Sequence, residues 1–352
     1  MTNTTTIRTA GQIQNLKELA EVAERIDNSV TEVHLDSTEL GFEADVIRHQ
    51  GRLLGLDQNG RNRIYRKLGA PVRYLESHSA DFQAAALNAH CARGNFGAKL
   101  VAAVNDDEIL TISRGDLYTL PIPDVIRAVG EVLEDVCSSL SVTRISLDWE
   151  QLDVELVSPS KEITVRRGDI VRSGIHIIHQ RYGNQATLIE AFHHRLVCLN
   201  GMTRRECPSE GIERTRKLPI ELPNHRELQM DQVRRLTRRI WGGLESQLEA
   251  MRTTAASPVR VEDLLIRRLQ QVRISTEKVM PRLLSAWREE GSEDTLYGAV
   301  NALTRVATHD PSLKERQRRT LASLAGILSF STVHHICKRC WSVLVGEAGE
   351  EI

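Results

Sequence analysis

Residues 168–202 constrain the fold of this chain more than any other segment. Two largely apolar runs, at 170–179 and 186–192, flank a short polar stretch at 181–184. Runs of this length on either side of a Gly-Asn turn are typical of two antiparallel strands joined as a hairpin. A further apolar run at 195–199 stops at Asn200-Gly201, a dipeptide that readily takes up positive φ, so a second turn is predicted there.

The patterns before this segment predict a layer of strands with helices inserted between them. Alternating apolar residues indicate strands at 30–35, 99–104, 108–113, 143–147 and 154–157. A helix long enough for a parallel crossover is predicted only between residues 113 and 143. The predicted fold class is therefore α+β, with a central, mostly antiparallel sheet and an α-helical C-terminal region, rather than a doubly wound sheet.

After residue 223 the spacing of apolar residues changes to that of helices. Between residues 224 and 252, apolar residues recur every three or four positions, and further helices are predicted at 261–272, 276–290, 293–308 and 313–328. The predicted organisation has four parts: an N-terminal helix and strand at 1–59, an α+β core with the hairpin at 60–205, a polar linker at 206–223, and an α-helical region at 224–340.

Composition places the chain among ordinary globular proteins, with 41% hydrophobic and 26% charged residues. No apolar run reaches the 18 residues of a membrane span, and the polar start lacks a signal-peptide core. Six scattered cysteines fit reduced thiols better than a disulfide framework. These features predict a cytoplasmic protein with no membrane contact.

Charge is distributed unevenly along the chain, although the net charge is only −1. Residues 1–150 hold 15 basic against 22 acidic residues, residues 204–290 hold 18 against 13, and residues 304–340 hold 7 against 2. Such a gradient is typical of a nucleic-acid-binding face, because phosphate contacts supply most non-specific affinity. The alternative is a set of solvated helix faces, since Arg and acidic residues alternate.

Candidate nucleic-acid contacts cluster around the hairpin and the linker. They are Arg181, Tyr182, Arg204, Arg205, Arg214, Arg216 and Lys217. Tyr182 is expected to be exposed at the hairpin tip, where its ring could stack on a base. The hypothesis requires the basic side chains just past Asn200-Gly201 to stand together, so that a polyanion lies across them.

A candidate zinc site lies near the C-terminus, at His334, His335, Cys337 and Cys340. These residues offer the four ligands that zinc prefers, but one short segment rarely supplies all four corners of a tetrahedron. The alternatives are a polar helix end with buried thiols and a redox-active Cys-x-x-Cys, although the β-α-β setting of thioredoxins is missing. The hairpin holds four further histidines, His176, His179, His193 and His194, and the strand register decides whether they share a face.

Signatures of common enzymes are missing from the sequence. It contains no phosphate loop, no dinucleotide-binding glycine motif, no nucleophile elbow and no His-Glu-x-x-His helix. An enzymatic activity is therefore not predicted.

Several separated motifs resemble phage- and plasmid-like proteins of domain-of-unknown-function family 932. They lie in family order over about residues 60–330: Leu68–Tyr74, Ala84–Asn88, Leu110–Tyr118, the hairpin with Arg195–Met202, Leu296–Thr304, and Leu324–Gly326. One departure is the hairpin tip, where this chain has His179–Gly183 in place of the family's Asn-Ser-Glu-x-Gly.

The resemblance implies carriage on, or descent from, mobile DNA and no established reaction. Together with the basic segments, it leads to the hypothesis of a non-catalytic DNA-binding protein in replication or recombination. A sheet and helix that assemble on single-stranded DNA, as in annealing proteins, is one form of it by analogy. The alternatives are a zinc-stabilised or metal-dependent enzyme, and a helical protein-interaction module; self-assembly is left open.

Overall fold

The computed structural model describes residues 13–329, apart from short gaps and one longer one. The gaps are 37–39, 44–45, 57–60, 63, 66–70, 94–98, 116–119, 135–138, 167–168, 183–186, 196–199, 205–222 and 273.

The first half of the chain builds a six-stranded sheet from a three-stranded meander, a hairpin and a partner strand, with helices before it and inserted in it. The elements are α1 (Leu16–Asp27), β1 (Thr31–Asp36), β2 (Gly41–Glu43), β3 (Val46–His49), β4 (Arg52–Gly55), α2 (Val72–Glu76), α3 (Ala80–Ala92), β5 (Lys99–Asn105) and β6 (Glu108–Arg114). The strand order is β1-β5-β6-β4-β3-β2. Its pairs are antiparallel except for a single parallel contact between Gly55 and Glu108.

A second, wholly antiparallel sheet follows helix α4 (Ile122–Val132). Its strands are β7 (Ser141–Leu147), β8 (Gln151–Arg166), β9 (Asp169–Gln180), β10 (Leu188–Arg195) and β11 (Asn200–Arg204), in the order β11-β10-β9-β8-β7. Strands β9 and β10 pair from Leu188 opposite Ile178, so the predicted hairpin is confirmed. The predicted α+β fold is likewise confirmed by this arrangement of antiparallel sheets and inserted helices.

The predicted turn at Asn200-Gly201 is wrong. Asn200 pairs with Arg195 and Gly201 pairs with His194, so both residues belong to strand β11. The backbone groups on the free side of β10 need hydrogen-bond partners, and this pairing satisfies them. Here that demand outweighs the local preference of Asn-Gly for a turn.

The C-terminal region is helical, as predicted. Its helices are α5 (His225–Ala256), α6 (Val261–Gln271), α7 (Thr276–Glu289), α8 (Leu296–His309) and α9 (Glu315–Ser329). None of the helices in the described residues is both long and apolar enough to span a membrane.

Helix α5 covers one face of the second sheet. Its apolar stripe, including Val233, Ile240 and Leu244, belongs to the same core as Ile175 and Ile177 of β9. Helices α1 and α4 contribute to this core as well, while α6 to α9 pack around a separate one. Burial of these side chains, each worth about 1.5–3 kcal/mol, holds the helices on the sheet.

Gly174 marks a close approach of strands β8 and β9. A Cβ atom at this position would lie 1.8 Å from the carbonyl oxygen of Leu156, so only glycine fits. The register of β8 against β9 shifts just beyond, between Val157 and Glu162. A bulge of this kind bends a sheet and redirects its side chains.

Candidate functional site

The second sheet has one apolar face and one polar face. Ile175 and Ile177 of β9 point to the apolar face under α5, so His176 between them points to the other side. Residues directly opposite in antiparallel strands share a face, which places Glu155 and Glu190 beside His176.

A row of alternating charges crosses the polar face from β7 to β10. It consists of Arg144, Glu155, His176 and Glu190. The Nε of Arg144 donates to Glu155 over 2.9 Å, and a second nitrogen of Arg144 donates to Asp153 over 2.9 Å. Cross-strand pairs of opposite charge stabilise a sheet register, so this row helps to specify the pairing.

His176 is buried between two carboxylates. Its Nδ1 lies 3.0 Å from Glu190 Oε1, and its Nε2 lies 2.8 Å from Asp153 Oδ1. Burial alone lowers the pKa of an imidazole, but the hydrogen bonds to Asp153 and Glu190 outweigh it and raise the pKa of His176 to about 9. At neutral pH His176 is therefore a cation that donates from both ring nitrogens.

Asp153 connects this buried network to the C-terminal helices. One of its oxygens accepts from His176 and Arg144, and the other lies 3.6 Å from a guanidinium nitrogen of Arg319 on α9. Burial acts to raise the pKa of Asp153, but the hydrogen bond and charge of His176, with the two arginines, lower it below its ordinary value. Asp153 is thus an ionised carboxylate shared by three cations.

An open groove of about 650 Å³ lies along α9, and Arg319 both lines this groove and approaches Asp153 of the sheet network. The groove is lined by Val272, Arg316, Arg319, Thr320, Ser323, Leu324 and Ile327. Apart from Val272, these residues recur at spacings of three or four and so lie on one face of α9. The side chain of Arg319 is 43% exposed, and Arg316 is exposed as well.

The groove lining offers groups that bind an anion. Two guanidinium groups present several N–H donors, and the Ser323 hydroxyl has no hydrogen-bond partner among the described residues. The Thr320 hydroxyl donates to the backbone carbonyl of Arg316 over 2.8 Å, so it can only accept. The lining residues include no carboxylate, imidazole or thiol that would transfer a proton. The lining thus offers positive charge and hydrogen-bonding groups to a ligand.

The hairpin tip is buried, contrary to the prediction for Tyr182. Tyr182 is 2% exposed and Arg181 is 6% exposed. Arg181 forms ion pairs with Asp27 at the end of α1 and with Glu32 in β1, and the Tyr182 hydroxyl donates to Glu32 over 3.0 Å. Burial raises the pKa of the Tyr182 hydroxyl, whose ring packs beside Trp149. Neither side chain is accessible to a base or a phosphate in this structure.

Most of the other predicted contact and metal residues lie outside the described residues. These are Arg205, Arg214, Arg216 and Lys217 of the predicted linker, and His334, His335, Cys337 and Cys340 of the predicted zinc site. Arg204 is the last residue of β11, with its backbone opposite Ala191. Their roles stay predictions.

The four hairpin histidines divide between the two faces of the sheet. His176 and His194 belong to the polar face. His179 and His193 belong to the α5 side, where His179 contacts Thr187 and the Leu120 carbonyl and His193 contacts Ser173 and Gln247. Within the described residues, no cluster of three or more His, Cys, Asp or Glu side chains is arranged to hold a metal ion.

Sequence reasoning missed the groove residues Arg316, Arg319 and Ser323. Their spacing of three and four in a predicted helix was the available signal, and the basic balance of residues 304–340 included both arginines. Neither signal could indicate that Asp153, which is distant in sequence, would approach Arg319.

Comparison with protein-family models, curated proteins and solved structures finds no match to this chain. The relationship to family 932 therefore stays a prediction from motifs.

Proposed function

We propose that this protein binds DNA without catalysing a reaction on it, with the groove on α9 as a phosphate contact. The observation that carries the proposal is the pairing of exposed Arg316 and Arg319 on one helix face beside the Ser323 hydroxyl. Arginine is suited to this role because its planar fork of donors matches phosphate geometry.

The charges behind the groove support the proposal. Behind the groove, three cations, Arg144, His176 and Arg319, approach the single carboxylate of Asp153. Asp153 is already hydrogen-bonded to His176 and Arg144, so its charge is only partly directed at Arg319. Together with the exposed guanidinium of Arg316, this arrangement favours an anion in the groove.

The proposed partner is the one expected from the sequence, but the residues proposed to contact it differ. Single-stranded DNA, encountered in replication or recombination of mobile DNA, follows from the family resemblance and the basic balance of the C-terminal half. Arg181 and Tyr182 are no longer part of the contact surface, because both are buried. Arg204, Arg205, Arg214, Arg216 and Lys217 stay candidate contacts.

A salt titration of DNA binding tests the proposal. Fluorescence anisotropy would follow a labelled oligothymidylate of 20 nucleotides between about 50 and 300 mM salt, with wild type and the Arg316→Ala variant. We expect log affinity to fall with log salt by about 0.7 for each phosphate contacted. Loss of Arg316 should weaken binding about five- to tenfold and reduce the slope by about one contact.

The matched control is Arg73→Ala, which removes an exposed arginine on α2 outside the groove. It should leave both affinity and slope close to wild type. An affinity no better than about 10⁻⁴ M that does not change with salt would remove the DNA-binding proposal, since phosphate contacts must weaken as salt rises. Equal losses in both arginine variants would reject the groove as the contact.

A further inference from the structure

The groove on α9 has a polar end and an apolar end. Arg316 and Arg319 lie toward the start of the helix, whereas Leu324 and Ile327 lie toward its end. From Arg316 to Ile327 the stripe extends about 16 Å at 1.5 Å per residue. A phosphate held by the two arginines would fill only part of that length.

We infer that the groove binds one whole nucleotide, with its phosphate on the arginines and its base against the apolar end. This inference rests on the proposed function and names the part of DNA that the groove contacts. Ligand sites of about 300–1,000 Å³ hold small molecules mainly by apolar contact, with a few placed polar groups. A groove of about 650 Å³ with two guanidiniums at one end has that form.

The apolar end is suited to a planar base. Leu324 is buried, while Ile327 is half-buried and so retains surface that a ligand can cover. Val272, which also lines the groove, is half-buried as well. Every base has a flat face that packs on apolar side chains without regard to sequence. Ser323 lies between the two ends, where its hydroxyl can reach the sugar or the phosphate.

A base bound in this way must be unpaired. In a duplex each base is stacked and paired, and extracting it costs free energy. The ligand is therefore a nucleotide unit from a single strand, or a free nucleotide, and the two sources share the same chemistry.

The test compares strands with and without bases. Competition anisotropy would use a 20-nucleotide oligothymidylate, an abasic phosphodiester of equal length, a 20-base-pair duplex and thymidine monophosphate. We expect oligothymidylate to bind about tenfold better than the abasic strand and the duplex. Ile327→Ala should weaken oligothymidylate about threefold to fivefold and leave the abasic strand unchanged, because only the base contacts Ile327.

The control is Leu228→Ala, which truncates an exposed apolar side chain on α5, 41% accessible and outside the groove. Val272→Ala provides a second lining variant if Ile327→Ala loses its helical circular dichroism. Competition by thymidine monophosphate at micromolar concentration would support the inference with a free nucleotide as the source. Competition by the oligonucleotide alone would support it with a strand.

Equal binding of oligothymidylate, abasic strand and duplex, unaffected by Ile327→Ala, would overturn the inference. If that common binding still fell with salt and with Arg316→Ala, the proposed function would stand without it. Absence of salt-dependent binding to every strand would reject the proposed function instead. Direct binding of thymidine monophosphate, measured by calorimetry and weakened by Ile327→Ala, would then still support the nucleotide site.

Discussion

The hairpin tip and the α9 groove both present arginines, but their surroundings differ. Arg181 at the tip is 6% exposed and forms ion pairs with two carboxylates, whereas Arg319 in the groove contacts Asp153 and keeps 43% of its side chain exposed. An arginine in a sequence can therefore hold two segments together or be available to a ligand. Each arginine has a carboxylate from a distant segment beside it, so the exposure that its side chain keeps separates the two cases.

The largest expected effect is at the tip, where Arg181→Ala should destabilise the protein by about 3 kcal/mol. The substitution leaves Asp27 and Glu32 partly buried without their cation, and breaking such pairs is costly. This value lies at the low end of the range for breaking a buried ion pair, because both carboxylates are partly exposed. Urea denaturation measures it, and Arg316→Ala should stay within about 0.5 kcal/mol of wild type.

The pH dependence of that loss provides a control. Burial, followed by neighbouring acids, raises the pKa of Asp27 even with Arg181 present. Without Arg181 the carboxyl takes up a proton more readily, so the destabilisation should shrink as the pH falls toward 4. If Arg181→Ala retained full stability but lost DNA affinity, the tip would be the binding surface and the comparison would be reversed.

The second expected effect concerns the buried network behind the groove. The folded pKa of His176, about 9, is above the ordinary value of 6.5, so its protonation stabilises the folded state fully below pH 6.5. As pH rises from 6.5 through 9 the proton is lost, and with it about 2 to 3 kcal/mol. Urea denaturation at pH 6, 7.5 and 9 should show this decline.

His176→Gln should remove most of that decline, because glutamine does not titrate. His34, which is exposed on β1, provides the matched control. The His34→Gln variant should keep the wild-type pH dependence. A wild-type stability that is flat between pH 6.5 and 9 would show that His176 is not held as a cation between Asp153 and Glu190.

Local patterns predicted the elements well because short-range physics determines them. The apolar stripe of α5, whose residues recur every three or four positions, was readable from spacing. The hairpin followed from two apolar runs around a polar turn. In each case the residues that decide the structure lie within a few positions of one another.

The functional geometry was less predictable because it depends on contacts between distant segments. Tyr182 looked exposed since it sits at a hairpin tip, but α1 and β1 bring Asp27 and Glu32 over it. The turn predicted at Asn200-Gly201 was displaced by pairing with β10. The groove required α9 and the end of α6 to meet, which no single segment encodes.

The smallest expected effect tests whether the Tyr182 hydroxyl at the hairpin tip stabilises the fold or contacts DNA. Tyr182→Phe keeps the ring beside Trp149 and removes only the hydroxyl that donates to Glu32. We expect a loss of about 1 kcal/mol in the free energy of unfolding, because Glu32 still accepts from Arg181. DNA affinity should not change.

Tyr74→Phe, at a tyrosine that is 55% exposed, should change neither quantity and serves as the control. Unchanged stability with weaker DNA binding in Tyr182→Phe alone would place the hydroxyl at the ligand, and would make the tip and the groove two parts of one binding surface.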